Sequence, residues 1–160
     1  MAIKLTPDRP DDQYVRMYYS LKKDDDGWFS IEARDEEEAD DSHGWIEFWS
    51  GEAAACKEPL RKMAGRLYVL GERREKRKRE LSDEKALAEL EEFNRLTHEG
   101  LAHRTKAWRL INSEGEAIDA PVTFENAKEV YSDDSHNMAE VVQEYLNGRT
   151  NFPLRASVSS

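Results

Sequence analysis

Trp45-Ile46-Glu47-Phe48-Trp49 runs directly into Ser50-Gly51-Glu52-Ala53-Ala54-Ala55-Cys56, and the change of rhythm between them decides how the chain is read. In an extended run successive side chains alternate sides, so Trp45 and Trp49 share one face and Ile46 and Phe48 the other. A strand apolar on both faces is either sandwiched by a helix layer or left partly open. From Ser50 the apolar period becomes helical. At roughly 100° per residue from Leu60, the residues Ala53, Cys56, Met63, Ala64, Leu67 and Leu70 share one core-facing arc.

Working outward toward the amino terminus, Tyr14-Val15-Arg16-Met17-Tyr18-Tyr19 and Trp28-Phe29-Ser30-Ile31-Glu32-Ala33 are short runs rich in aromatic and β-branched residues. They predict a small antiparallel sheet with the Trp45 run. Gly27 supplies the positive φ that the first turn needs. The second connection, Asp35-Glu36-Glu37-Glu38-Ala39-Asp40-Asp41-Ser42, is too acidic to pack and reads as a solvated loop.

Toward the carboxy terminus, Ser50 can cap the first helix, and Pro59 either bends it or marks a true first turn at Glu58. A second helix is predicted over residues 81–102, with Leu87, Leu90, Phe93, Leu96 and Leu101 on a broad face that packs on one side only. Between them, residues 72–80 hold no apolar side chain and read equally as a helical extension or, because Gly71 permits it, a break. Lys106-Ala107-Trp108-Arg109-Leu110-Ile111 and Glu116-Ala117-Ile118 predict a two-stranded hairpin. A short helix capped by Thr123 follows, with Phe124, Ala127, Val130 and Tyr131 on its stripe. The last helix runs from about His136 to Asn147, capped by Ser135 and stopped by Gly148, and residues 151–160 read as a flexible tail. The fold class is therefore α+β: an N-terminal antiparallel sheet packed on a helical centre, then a C-terminal hairpin and two short helices. It is one domain over residues 1–150, strand-rich over 1–50, helical over 51–105, and hairpin plus helices over 106–150.

Charge narrows the function. The 160 residues carry 34 acidic and 24 basic side chains, a formal net charge of −10, which disfavours a global nucleic-acid binder. Residues 1–50 are at −8, residues 51–111 at +4 and residues 112–160 at −6, so a basic middle lies between acidic ends. No apolar stretch reaches the roughly 20 residues of a membrane helix, and the opening residues lack the apolar run of a signal peptide. The expectation is a cytoplasmic protein with no membrane contact.

Chemistry finds little to work with. The glycines are too far apart for a phosphate loop, and His43, His98, His103 and His136 form no i, i+4 pair for zinc. The clusters at residues 24–26 and 35–41 lack the alternation and central glycine of a calcium loop, so solvated charge is the better reading. Cys56 is a single cysteine, which excludes an intrachain disulfide. Cys56 with His43, or Ser42 with His43, could supply parts of a hydrolytic site, but no nucleophile elbow surrounds them. The basic run at residues 73–79 has no interleaved aromatics and reads best as a solvated helix or a docking surface for an acidic protein. No catalytic residue, cofactor or metal is predicted.

In the carboxy-terminal third, Lys106-Ala107-Trp108-Arg109-Leu110-Ile111, then Ser113-Glu114-Gly115-Glu116, then Val122-Thr123-Phe124-Glu125-Asn126-Ala127-Lys128, and a capped helix ending in Asn147-Gly148-Arg149-Thr150-Asn151-Phe152 together resemble the tail assembly chaperones of long-tailed bacteriophages. The resemblance covers about a third of the chain. It implies a non-enzymatic assembly factor of the host cytoplasm, absent from the mature virion, that binds the tape-measure protein and tail tube protein, with self-association left open. Trp45, Phe48 and Trp49 on the strand and Phe152 and Leu154 on the tail are the expected contact residues. Pro153 after Phe152 departs from the family's tail. The competing expectation is an acidic inhibitor that mimics nucleic acid and blocks a host DNA- or RNA-binding enzyme, for which the net charge and the loop at residues 35–41 speak.

Overall fold

Val15, Met17 and Tyr19 turn to one side of their strand and Tyr14, Arg16 and Tyr18 to the other, the alternation of a sheet covered on one face. The computed structural model describes residues 13–76 and 83–148, with Ile3 and Leu5, and carries this segment as β1 (Tyr14–Lys23). β2 (Phe29–Arg34) returns antiparallel along one edge of β1 and β3 (Gly44–Trp49) along the other. The turn into β2 has Gly27 at φ +87°, closed by Asp24, whose carboxylate accepts the amide protons of Asp26 and Trp28 at 2.9 and 2.8 Å. Gly27→Ala is expected to cost about 1 kcal/mol, because an L residue with a Cβ is disfavoured there; the urea midpoint measures it.

The helical segment forms α1 (Lys57–Lys76) and α2 (Asp83–Arg104). β4 (Thr105–Ile111) then pairs with β3, and the two-residue β5 (Ala117–Ile118) with β4. The expected C-terminal hairpin forms as β4 and β5, and through β4 it joins the N-terminal sheet, so that five antiparallel strands run in the order β2-β1-β3-β4-β5. α3 (Phe124–Ser132) and α4 (Met138–Asn147) complete an α+β fold.

The core lies under one face of the sheet. Val15, Met17, Tyr19, Ile46 and Phe48 meet Leu101 and Ala102 of α2, Ala127 and Tyr131 of α3, and Met138 and Val142 of α4. The helical layer is therefore the carboxy-terminal end of α2 with α3 and α4. Tyr131 fixes α3: its hydroxyl lies 2.6 Å from Thr105 Oγ1, which itself donates to the Leu101 carbonyl at 2.9 Å. With Thr105's one proton so used, Tyr131 is the donor. Burial pushes the Tyr131 phenol far above its ordinary range, which keeps that proton in place.

Several expectations shift. The first helix begins at Lys57, after turns over residues 50–56. This puts Pro59 in the first turn, where its missing N–H leaves no bond unmade. Of the predicted stripe, Ala53, Cys56 and Met63 are buried while Ala64 is exposed, and on α2 Leu96 and Leu101 are buried while Leu87, Leu90 and Phe93 are 58%, 45% and 45% exposed. α1 and the first half of α2 pack chiefly on each other, and a two-helix arm cannot bury two full apolar faces. α4 starts at Met138, not His136, and Ser135 does not cap it. The cap residue Asn137 turns its side chain outward to accept the Ile31 amide proton of β2 at 2.7 Å, and His136 Nδ1 accepts the Met138 amide proton at 3.1 Å instead. The Thr123 cap on α3 is as expected, its hydroxyl accepting from the Asn126 amide at 3.1 Å. α1 reaches into the 72–80 segment as far as Lys76; residues 77–80 and the tail at 151–160 lie outside the described residues.

Candidate functional site: an aromatic and cationic sheet face

Two matching patterns meet on the face of the sheet away from the core. Tyr14, Arg16 and Tyr18 of β1 stand directly opposite Trp49, Glu47 and Trp45 of β3, so each strand presents ring, charge, ring, with charges of opposite sign. Arg16 donates to Glu47 Oε2 from Nε at 3.0 Å and from Nη2 at 2.9 Å. Its guanidinium carbon lies 4.0 Å from the Trp45 ring centroid and 5.8 Å from that of Tyr18. The register break between β3 and β4 at Glu47 and Phe48 leaves Lys106 outside the regular pairing. Its ammonium stands 3.4 Å from Glu47 Oε1, 4.6 Å from the Tyr14 ring and 5.3 Å from the Trp49 ring. Tyr14 and Trp49 close that side edge to face at 6.4 Å.

Glu47 is only 4% exposed although it points away from the core. It shares its face with Trp45 and Trp49, and together with the two cations they exclude water from it. Each cation over a ring contributes about 0.5–1 kcal/mol where partly solvated, and the aromatic cross-strand pairs a further few tenths each. These contacts restrain the rings on the sheet face. Arg34, in register with Tyr18, and Arg109, in register with Trp45, extend the cationic edge; Arg109 donates to the Asp41 carbonyl at 2.6 Å. In a chain of net charge −10, this face gathers four cations around four partly exposed rings, with Glu47 paired to two of the cations and Glu32 to Arg34 at 3.3 Å. It can hold apolar and acidic groups of a partner at once.

Comparison of the chain with protein-family models, curated proteins and solved structures finds no match.

Of the residues expected to touch partners, Trp45 and Trp49 lie on this face and are partly exposed. Phe48 corrects the expectation. It turns to the core, is 0% exposed and has its ring 6.4 Å from that of Tyr131, so it has no surface to offer. Phe152 and Leu154 lie outside the described residues. Arg16, Glu47 and Lys106 were missed, although the paired spacings Tyr-x-Arg-x-Tyr and Trp-x-Glu-x-Trp carry the signal for two of them.

The parts of a hydrolytic site are not assembled. The Cys56 thiol lies 3.3 Å from the Ser50 carbonyl, and burial pushes its pKa up, which keeps it protonated and unreactive. Ser42 and His43 both serve Asp40: Ser42 Oγ and the Ser42 amide donate to its carboxylate, and His43 Nδ1 accepts its amide proton at 2.9 Å. The two bonds from Ser42 hold the Asp40 carboxyl below its usual range. This is loop closure: the Ser42 hydroxyl is bonded to the Asp40 carboxylate and the His43 ring to the Asp40 amide, so the expected Ser42–His43 pair is not formed. Among the described residues no group of three or more His, Cys, Asp or Glu side chains is placed to hold a metal ion, and no helix is long and apolar enough to cross a membrane.

Proposed function

We propose that this protein is a tail assembly chaperone of a long-tailed bacteriophage, a non-enzymatic factor that holds the tape-measure protein and tail tube subunits in the host cytoplasm until they are assembled. The observation that carries the reading is the sheet face at Trp45, Glu47 and Trp49, whose rings are fixed in place and still open to solvent. Anchoring aromatics with little side-chain entropy to lose are what protein contacts use. The exposed Leu87, Leu90 and Phe93 of α2 recur at the spacing of one helix face, which suits a long helical partner. A large net charge keeps such apolar surface soluble.

Co-expression with a tape-measure protein, followed by affinity capture, tests the proposal. The wild-type chain is expected to keep the tape-measure protein soluble, and the double variant Trp45→Ala/Trp49→Ala to weaken capture about tenfold or more while remaining folded. Failure of the wild-type chain to co-purify with any tape-measure protein would sink the reading. The acidic-mimic alternative draws on the exposed carboxylates of the 3-10 turn at Glu36–Glu38. It predicts binding that collapses as salt rises through the range where the Debye length falls below about 10 Å, whereas contacts made by rings persist.

A further inference from the structure

The opposite face of the sheet is not fully closed by its helices. Between β4, β5 and the α3–α4 corner lies a pocket of about 500 Å³, within the range that ordinarily receives a ligand or an anchoring side chain. Tyr19, Ile31 and Leu110 belong to the core beneath it, Trp108, Val130 and Met138 also line it, and Ile118, 46% exposed, lies at its mouth. Trp108 is fixed there by its Nε1, which donates to the Ala120 carbonyl at 2.7 Å. The lining includes the carboxylates of Glu129 and Asp133 and one histidine, His136, and no lysine or arginine.

The carboxy-terminal side of the surroundings has the same sign, while on the β1–β2 side the Lys23 ammonium lies 5.8 Å from the centroid of the lining Phe29 ring. Residues 112–148, which supply the hairpin turn, β5, α3 and α4, hold nine carboxylates and one cation, Lys128. That lysine is turned to Glu99 of α2, 3.7 Å away. Asp133 takes bonds from the side chain and amide of Ser135, which hold its carboxyl below the usual range with a smaller contribution from His136; His136 Nε2 lies 3.5 Å from it. An apolar pocket in this setting repels anions and neutral polar chains gain nothing from it. A segment with both a large apolar side chain and flanking cations satisfies the pocket and its rim together.

We propose that this pocket is a docking site for a basic protein segment, which seats one bulky apolar side chain against Trp108 and Val130 while its lysines or arginines meet Glu129, Asp133 and the acidic hairpin turn. The inference stands on the pocket and its charge, and does not rest on the tail-assembly reading or on the aromatic face across the sheet.

Fluorescence anisotropy with the full chain and a labelled short peptide, lysine-rich with one central tryptophan, tests it. The expected result is saturable binding that falls about tenfold or more with Glu129→Lys, which reverses a rim charge, and likewise with Ile118→Lys, which puts a cation in the mouth. Both positions are exposed, so the fold is retained. Glu84→Lys on the far arm of α2 makes the same change in net charge and is expected to leave binding within about twofold. The proposal is overturned if Glu84→Lys weakens binding as much as Glu129→Lys, or if the same peptide with alanine for tryptophan binds equally well; either result reduces the effect to general charge attraction. It is also overturned if neutral N-acetyltryptophanamide binds as tightly as the peptide, making this a small-molecule site, or if the chain self-associates through the pocket and Ile118→Lys disperses it, making the occupant a second copy.

Discussion

Glu47→Ala is expected to lower the stability of the folded chain by about 3 kcal/mol, more than any other single change on the open face of the sheet. The Glu47 side chain is 5% exposed and both of its oxygens are engaged, Oε2 by Arg16 and Oε1 by Lys106. Removing it leaves two cations facing each other across an empty site, with the tryptophans on either side still holding water away. Arg16 and Lys106 keep 28% and 25% of their side-chain surface and can turn partly into solvent, which puts the cost at the low end of the range for breaking a buried pair. Glu47→Gln retains shape and one acceptor and is expected to cost about 1.5–2 kcal/mol. The informative variant is Arg16→Met/Glu47→Leu/Lys106→Met. Replacing all three charges together is expected to recover most of the loss, because desolvation of the ions disappears with them, yet it removes the cations that hold the rings in place. Urea denaturation measures both effects. A Glu47→Ala midpoint no further from wild type than that of an ordinary surface change would show that the cations do not need their anion.

That carboxylate also marks where sequence reading stops. The strands themselves are legible in the sequence, since the runs at Tyr14, Trp28 and Trp45 are short, rich in aromatic and β-branched residues and separated by turn formers. What alternation cannot tell is which face meets the helices. Trp45 and Trp49 are bulkier than Ile46 and Phe48, and the sequence reading expects contacts from Trp45, Phe48 and Trp49, which stand on opposite faces. The structure divides them, with Ile46 and Phe48 in the core and the tryptophans over Glu47. The register that sets Arg16 opposite Glu47 depends on long-range pairing, and no local pattern specifies it. α1 and α2 are where the stripes predict helices, and the depth of their burial departs from the sequence pattern for a related reason. Their stripes are genuine, but the depth of burial depends on how many neighbours a stripe meets, and at Leu87, Leu90 and Phe93 that number is too small to cover them. Asn137 is the most local failure: a residue suited to capping its own helix turns its carbonyl oxygen to the amide of Ile31 on the sheet, because a strand N–H at that edge otherwise has no partner.

The two candidate surfaces use the same sheet in different ways. On the open face the β1–β3 register brings rings and charges together, while on the covered face the short β5 and the α3–α4 corner leave a pocket unfilled. Both depend on β4 staying beside β3 beyond the end of their ladder, and one tyrosine secures it. β3 begins at Gly44, while β4 continues past Arg109, the partner of Trp45, to Ile111. Tyr19, the β1 partner of Gly44, supplies what β3 no longer can. Its hydroxyl accepts the Ile111 amide proton at 2.8 Å and donates to the Ile111 carbonyl at 3.3 Å. To reach that far its ring lies across β3 at the one position without a side chain.

Gly44→Ala is therefore expected to destabilise the fold by about 3 kcal/mol, at the upper end of the cost of overpacking. A Cβ at position 44 would stand 2.5 Å from two ring carbons of Tyr19 and 2.8 Å from its hydroxyl oxygen. Tyr19 is 2% exposed and held at its tip by both backbone groups of Ile111, so its ring has nowhere to move without releasing the end of β4. The backbone at Gly44 is not in the left-handed region, and the penalty arises from space alone. That distinction can be measured. In a Tyr19→Leu background, which itself loses the Ile111 bonds, adding Gly44→Ala is expected to cost under about 1 kcal/mol, a coupling well beyond the additivity of independent sites. An equal cost in both backgrounds would mean that Tyr19 does not cross β3 at Gly44, and that β4 is held to the sheet by other contacts.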